Sequence, residues 1–268
     1  MAFARKSSTF TPVVMFKPDT PADQLAVAAV HSLMSDIYET MNTERSKQTV
    51  IGISEIGSDC RRCVARKLSG LYANRGDPSW KAQVGTFIHA GLEEHFLEKY
   101  ADPNFPPSDT SPHYHEERRV HLLSYKGLEL GGSCDLFVQG ETYGVVCDWK
   151  TQGAAKLKKT AAAQIGSTYT VQMHTYGLGY EMLGFHVTHV VLYALPRDGE
   201  LTDSKPVLMR YDRQIALDAL AALQVLIDAA EILGWPTVIQ AQDRASQCWD
   251  CSGYEAQESS SFLDDLTA

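Results

Sequence analysis

No segment of this chain approaches the run of about 20 apolar residues that a membrane-crossing helix requires. The N-terminus lacks the basic-then-apolar layout of a secretory leader. The expectation is therefore a cytoplasmic protein. Internal repeats are missing, which excludes solenoids and propellers. A positive charge balance is missing as well: 24 Lys and Arg stand against 33 Asp and Glu, for a net charge of −9. That surface argues against a protein that coats nucleic acid indiscriminately. Its basic clusters, Arg61, Arg62, Arg66 and Lys67, then Lys156, Lys158 and Lys159, read from charge alone as solvated helix faces. What is present suits one large core: 268 residues, 44% hydrophobic and 21% charged.

Residues 1–20 show no periodicity and read as a flexible arm. Residues 21–42 carry apolar side chains at helical spacing, from Leu25 to Met41. Helices are also expected at 60–72, 81–100, 165–183 and 214–233. Strand-like runs occupy 120–124, 132–138, 144–150, 187–195 and 206–211, and residues 102–112 form a loop. This order predicts an α/β fold in a single domain over 21–254, with a mixed central sheet flanked by helices. Residues 255–268 hold four acids and no base and read as a disordered acidic tail. Its Phe262, Leu263 and Leu266 suit docking on a basic groove of a protein partner, although a plain solubilising tail explains them as well.

The runs 132–138 and 144–150 are joined by Gln139–Tyr143, a plausible hairpin connection. A symmetric register centred between Glu141 and Thr142 makes Asp135 and Asp148 cross-strand neighbours. Alternation then puts Val146, Asp148 and Lys150 on one face. Cys134 and Cys147 fall on the other face with Leu136 and Val145, as small core residues. Two adjacent carboxylates repel unless a cation lies between them. Hard oxygen donors select Mg²⁺ or Mn²⁺. Lys150 reaches the same place and can orient water or stabilise charge on a phosphate. Taken alone, Asp148 and Lys150 also read as a surface ion pair.

Asp135 with Asp148-Trp149-Lys150-Thr151 resembles the nuclease core of the PD-(D/E)XK superfamily, in its RecB-like branch. Gly85-Thr86-Phe87-Ile88-His89 is similar to that branch's helix with a metal-binding histidine. Gln172-Met173-His174-Thr175-Tyr176 is similar to its QxxxY motif. The resemblance covers roughly residues 50–255 and implies a restriction-endonuclease-like core. It implies catalytic roles for Asp135, Asp148 and Lys150. The metal would be held by Asp135, Asp148, His89 and the backbone carbonyl of Trp149. Gln172 and Tyr176 would contact the DNA backbone or brace the catalytic strand. The implied activity is exonucleolytic, on DNA with single-stranded ends, in recombination, replication or repair. A nuclease-derived DNA-binding or scaffold module that has lost activity is the alternative. Glu116 and Glu117 fall where the family often carries a glutamate. His113, His115 and His121 look clustered but read as loop and strand-start residues rather than ligands.

Two CxxC pairs, Cys60/Cys63 and Cys248/Cys251, flank this core. A cytoplasmic protein should not hold them as structural disulfides. Four thiolates on one centre would clamp the two ends of the domain, removing about 4–5 kcal/mol of chain entropy from the unfolded state. The arrangement resembles the CRISPR-associated and AddB-type iron–sulfur nucleases, which implies a [4Fe-4S] cluster, with Zn²⁺ as the alternative. Those families place one cysteine before the core and three after it; this chain has two and two. Two independent redox-active pairs are the remaining reading.

Overall fold

The computed structural model describes residues 14–43, 50–71, 80–100, 108, 112–115, 118–246, 248 and 250–254. Glu116, Glu117 and the acidic tail lie outside them. The chain divides into two compact units, residues 1–47 and 48–268. The first contains helix α1 (Pro21–Thr43). Its stripe residues Leu25, Val30 and Leu33 are exposed, so the periodicity marks a helix without marking burial.

The second unit begins with helices α2 (Ile53–Ile56), α3 (Arg61–Leu68) and α4 (Trp80–Tyr100). Strands β1 (His113–His115), β2 (Arg118–Tyr125), β3 (Leu128–Cys134), β4 (Leu136–Gln139) and β5 (Gly144–Gln152) follow. Helices α5 (Ala154–Ala161) and α6 (Ser167–Met182) then cross to β6 (His189–Pro196). Strand β7 (Lys205–Arg210) and helices α7 (Arg213–Leu233) and α8 (Trp235–Ala241) complete the order. Among the described residues no helix is long and apolar enough to cross a membrane.

The fold is α/β, with a mixed five-stranded sheet in the order β1-β4-β5-β6-β7, flanked by helices. Only β5 and β6 run parallel, because α5 and α6 return the chain to the starting end of the sheet. Strands covered on both faces read as continuous apolar runs, and Gly144–Cys147 and Val190–Leu192 are such runs. On one face Phe137, Val146, Val190 and Leu192 pack with Met173 and Tyr180 of α6 and with the stripe Ala216, Leu220 and Leu223 of α7. On the other face Leu136, Cys147, Trp149 and Val191 pack with Leu92 and Phe96 of α4. Asp212 caps α7 by accepting the Gln214 N–H at 2.9 Å. Gly234, at φ +78°, breaks the chain between α7 and α8 in a conformation that L side chains resist.

The run 132–138, expected as one strand, is two. β3 leaves the main sheet to pair with β2 in a separate two-stranded sheet, and the chain bends at Asp135 before β4 joins β5. This overturns the expected placement of Cys134. It lies in the core with Val146, on the face opposite Cys147, because the bend interrupts the alternation on which the expectation rested.

Candidate active site and cysteine centre

The β4–β5 ladder runs in the expected register, pairing Leu136 with Cys147 and Gln139 with Gly144. One further step would set Asp135 opposite Asp148, but β4 begins only at Leu136. The Trp149 N–H therefore has no β4 partner, and Asp135 Oδ2 accepts it at 2.7 Å. Asp135 thus lies at the sheet edge instead of sharing a face with Asp148. A strand residue's N–H and C=O point to the same side, so the Trp149 carbonyl turns toward this edge too. Asp135 Oδ1 meets His89 Nδ1 at 3.0 Å. His89 comes from α4, which approaches β5 closely at Gly85: a Cβ there would stand 3.0 Å from the Thr151 hydroxyl.

Asp148 points to the other side, toward α6, and is 2% exposed. Its Oδ1 accepts from Gln172 Nε2 at 3.1 Å. Its Oδ2 is ion-paired with Lys150 and accepts no directional hydrogen bond among the described residues. Burial pushes the Asp148 carboxyl up, the charge of Asp135 adds to that, and the net value is about 6. Lys150 and His89 pull it back. Burial alone would lower Lys150, but the Asp148 carboxylate holds it above its usual range. His89 follows the same pattern: burial pulls it down, and its bond to Asp135 outweighs that and raises it.

Asp135, Asp148, Lys150 and His89 thus come together where β4 begins. Gln172 and Tyr176 stand behind Asp148, 2% and 6% exposed. Burial raises the Tyr176 hydroxyl pKa, so it stays protonated. Both side chains are buried in the protein, with the Gln172 amide on the Asp148 carboxylate. Tyr169, missed by sequence reasoning, lies near enough to Lys150 to bear on its charge, and its ring carries Lys156 Nζ at 4.5 Å from the centroid. It is three residues before Gln172 on the same helix and so shares its side, a spacing that could have revealed it. Arg197 was missed as well: a Cβ on Gly153 would stand 2.6 Å from its guanidinium. The three histidines do not converge on a ligand set. His115 pairs with Gln139 at 2.8 Å, and His121 with Ser124 at 2.9 Å.

Among the described residues, His, Cys, Asp or Glu ligand atoms gather in a group of three or more, within 4.8 Å of one another, at Cys60, Cys63, Cys248 and Cys251. The carboxylates draw together less closely: Asp148 pairs with Lys150, and Asp135 bonds to His89. The Sγ distances are 3.5 Å for Cys60–Cys63, 3.6 Å for Cys60–Cys251, and 3.5 Å from Cys63 to both Cys248 and Cys251. Burial raises the Cys63 thiol. It pushes at Cys60 too, but backbone hydrogen bonds at Ala245 and Cys63 bring that thiol down to about 7. Tyr254 and Leu71 seal the centre. Cys134 and Cys147 stand apart from it as buried free thiols.

The chain matches the model of the PD-(D/E)XK nuclease superfamily over residues 28–253. No curated protein sequence matches it. Among solved structures it is similar to an alkaline exonuclease from Laribacter hongkongensis, at 11% identity and a TM-score of 0.48, covering 76% of this chain and 97% of that one. It is also similar to a phage-related exonuclease from Haemophilus somnus, at 12% identity and a TM-score of 0.40, covering 67% and 82%.

Proposed function

The chain belongs to the PD-(D/E)XK nuclease superfamily, and from that premise we propose that it is a metal-dependent DNA exonuclease of the RecB-like branch, acting on DNA with single-stranded ends in recombination, replication or repair. The observation that carries this reading is the gathering of Asp135, Asp148, Lys150 and His89 at the open end of β4.

The donors fit a hard divalent cation. Two carboxylates are held close enough that one raises the pKa of the other, and a buried Asp148 oxygen has only Lys150 for company. Asp135, Asp148, His89 and the Trp149 carbonyl would hold Mg²⁺ or Mn²⁺. When bound, such an ion polarises a phosphoryl oxygen and makes water nucleophilic near neutral pH. Lys150 holds its proton, so it can point a positive charge at the developing phosphorane or orient the attacking water. Gln172 fixes the Asp148 carboxylate through Oδ1 and leaves Oδ2 to face the site. Lys156, held over the Tyr169 ring, would add a cation for a substrate phosphate.

The test is incubation of anaerobically purified protein with end-labelled single- and double-stranded DNA, with Mn²⁺, with Mg²⁺ and with chelator. Mononucleotides or short products released from an end, only when the metal is present, are expected. Retained binding with no cleavage under any metal would leave the inactive DNA-binding module as the correct description.

A further inference from the structure

The resemblance to iron–sulfur nucleases implies a cubane cluster at Cys60, Cys63, Cys248 and Cys251, and the spacing of these cysteines does not fit one. In a cubane each thiolate takes its own iron. Two iron–sulfur bonds and an iron–iron edge then separate any two cysteine sulfurs. Here four of the Sγ pairs stand at 3.5–3.6 Å, and all four sulfurs lie within 4.8 Å of one another. A single tetrahedral ion with metal–sulfur bonds of about 2.3 Å sets its sulfurs about 3.8 Å apart. The observed spacing is that of four ligands on one atom.

The walls around the sulfurs are fixed at the same scale. The first pair opens α3, with the Cys63 N–H donating to the Cys60 carbonyl at 3.0 Å. The start of α3 is tied to the chain leading into the second pair. The Arg62 N–H donates to the Asp243 carbonyl at 3.0 Å, and its guanidinium reaches the Gln242 carbonyl at 3.1 Å and the Gln240 carbonyl at 3.2 Å. Cys60, Cys63 and Cys251 are buried against Tyr254. Widening the centre to admit a cluster would break these bonds and open that packing.

We propose that the four cysteines hold one tetrahedral zinc ion with no open coordination position, a structural clamp between α3 and the segment after α8. Four thiolates saturate such an ion, so the centre neither binds substrate nor moves electrons. The proposal stands apart from the nuclease reading, because neither of its readouts involves DNA.

The test uses the full chain, produced in iron-supplemented cells and purified without oxygen so that a cluster would survive. Zinc, iron and acid-labile sulfide are then measured per chain. One zinc, with no iron and no visible absorbance, is expected. Iron and sulfide in the cubane ratio, with brown colour bleached by dithionite, would overturn the proposal, and so would a chain free of metal. Exchange of the native ion for Co²⁺ gives the second readout. The expected spectrum has sulfur-to-cobalt charge transfer and the intense ligand-field bands of a tetrahedral tetrathiolate site. In Cys248→Ser, which changes the half-buried member of the set, the charge-transfer intensity should fall. A six-coordinate cobalt spectrum in the unmodified protein would contradict the assignment.

Discussion

Asp148 and Cys251 are both buried, at 2% and 0% exposed, and burial opposes the ionised form of each. They differ in where their partners come from. Asp148 meets Lys150 on its own strand and Asp135 on the adjoining hairpin arm, with single residues added by α4 and α6. Cys251 meets Cys60 and Cys63, which are 191 and 188 residues away in sequence. The first site gathers buried charge on one strand, where we propose that the reaction takes place. The second closes the chain upon itself. Local strand geometry thus places the chemistry, and a long-range clamp supplies stability, so activity and folding should respond separately to mutation.

Asp148→Asn should show the widest separation. It removes a carboxylate and keeps the shape and the Gln172 contact, so cleavage should fall by at least about 10²–10³-fold. The melting temperature should hold or rise, which calorimetry on the metal-free protein would check. Cys251→Ser should do the reverse. Releasing the clamp should lower unfolding free energy by about 4 kcal/mol in denaturant titration, while Cys134→Ala should cost only about 1 kcal/mol through packing. A Cys251→Ser protein as stable as the parent would break the comparison.

Gln172→Ala sharpens it within the catalytic side. As a brace for Asp148, Gln172 should affect kcat by about 10–100-fold with little change in KM for DNA. A rise in KM at constant kcat would mean that it touches the strand. The smallest effect belongs to His174, which is buried and accepts the Asp212 N–H on Nδ1 at 3.0 Å. Burial lowers its pKa below 6.5, and the charge of Asp212 only partly offsets this. Below about pH 6.5 the unfolded chain therefore takes up a proton that the folded chain does not. Stability should fall as pH drops through that window and be flat above it. Unfolding at about pH 7.5 and about 5.5 should show the loss in the parent and a smaller one in His174→Asn.

The hairpin register was legible because short-range alternation and turn position are local properties. Leu136 opposite Cys147 follows from them directly. The bend at Asp135 was not legible, since it depends on β3 leaving to pair with β2. That one non-local event moved Cys134 to the opposite face and turned Asp135 from a face residue into an edge residue. The CxxC spacing announced the cysteines, but only the fold shows how near their sulfurs stand. Gln172 and Tyr176 follow from the resemblance to the QxxxY motif. Their burial, which a helical period leaves open, comes from the fold. On α1 the period matches a helix, while Leu25 and Leu33 are exposed.

The central claim, that the open end of β4 is the catalytic centre and the cysteines serve folding alone, is tested most directly by one paired assay. Cleavage of end-labelled DNA in Mn²⁺ is measured per folded molecule, with the folded fraction taken from thermal melts, for Lys150→Ala beside Cys251→Ser. The account predicts a folded and inactive Lys150→Ala, and a Cys251→Ser protein that is less stable yet cuts at the parental rate wherever it is folded. Parental cleavage by Lys150→Ala, or a well-folded Cys251→Ser that does not cut, would contradict it.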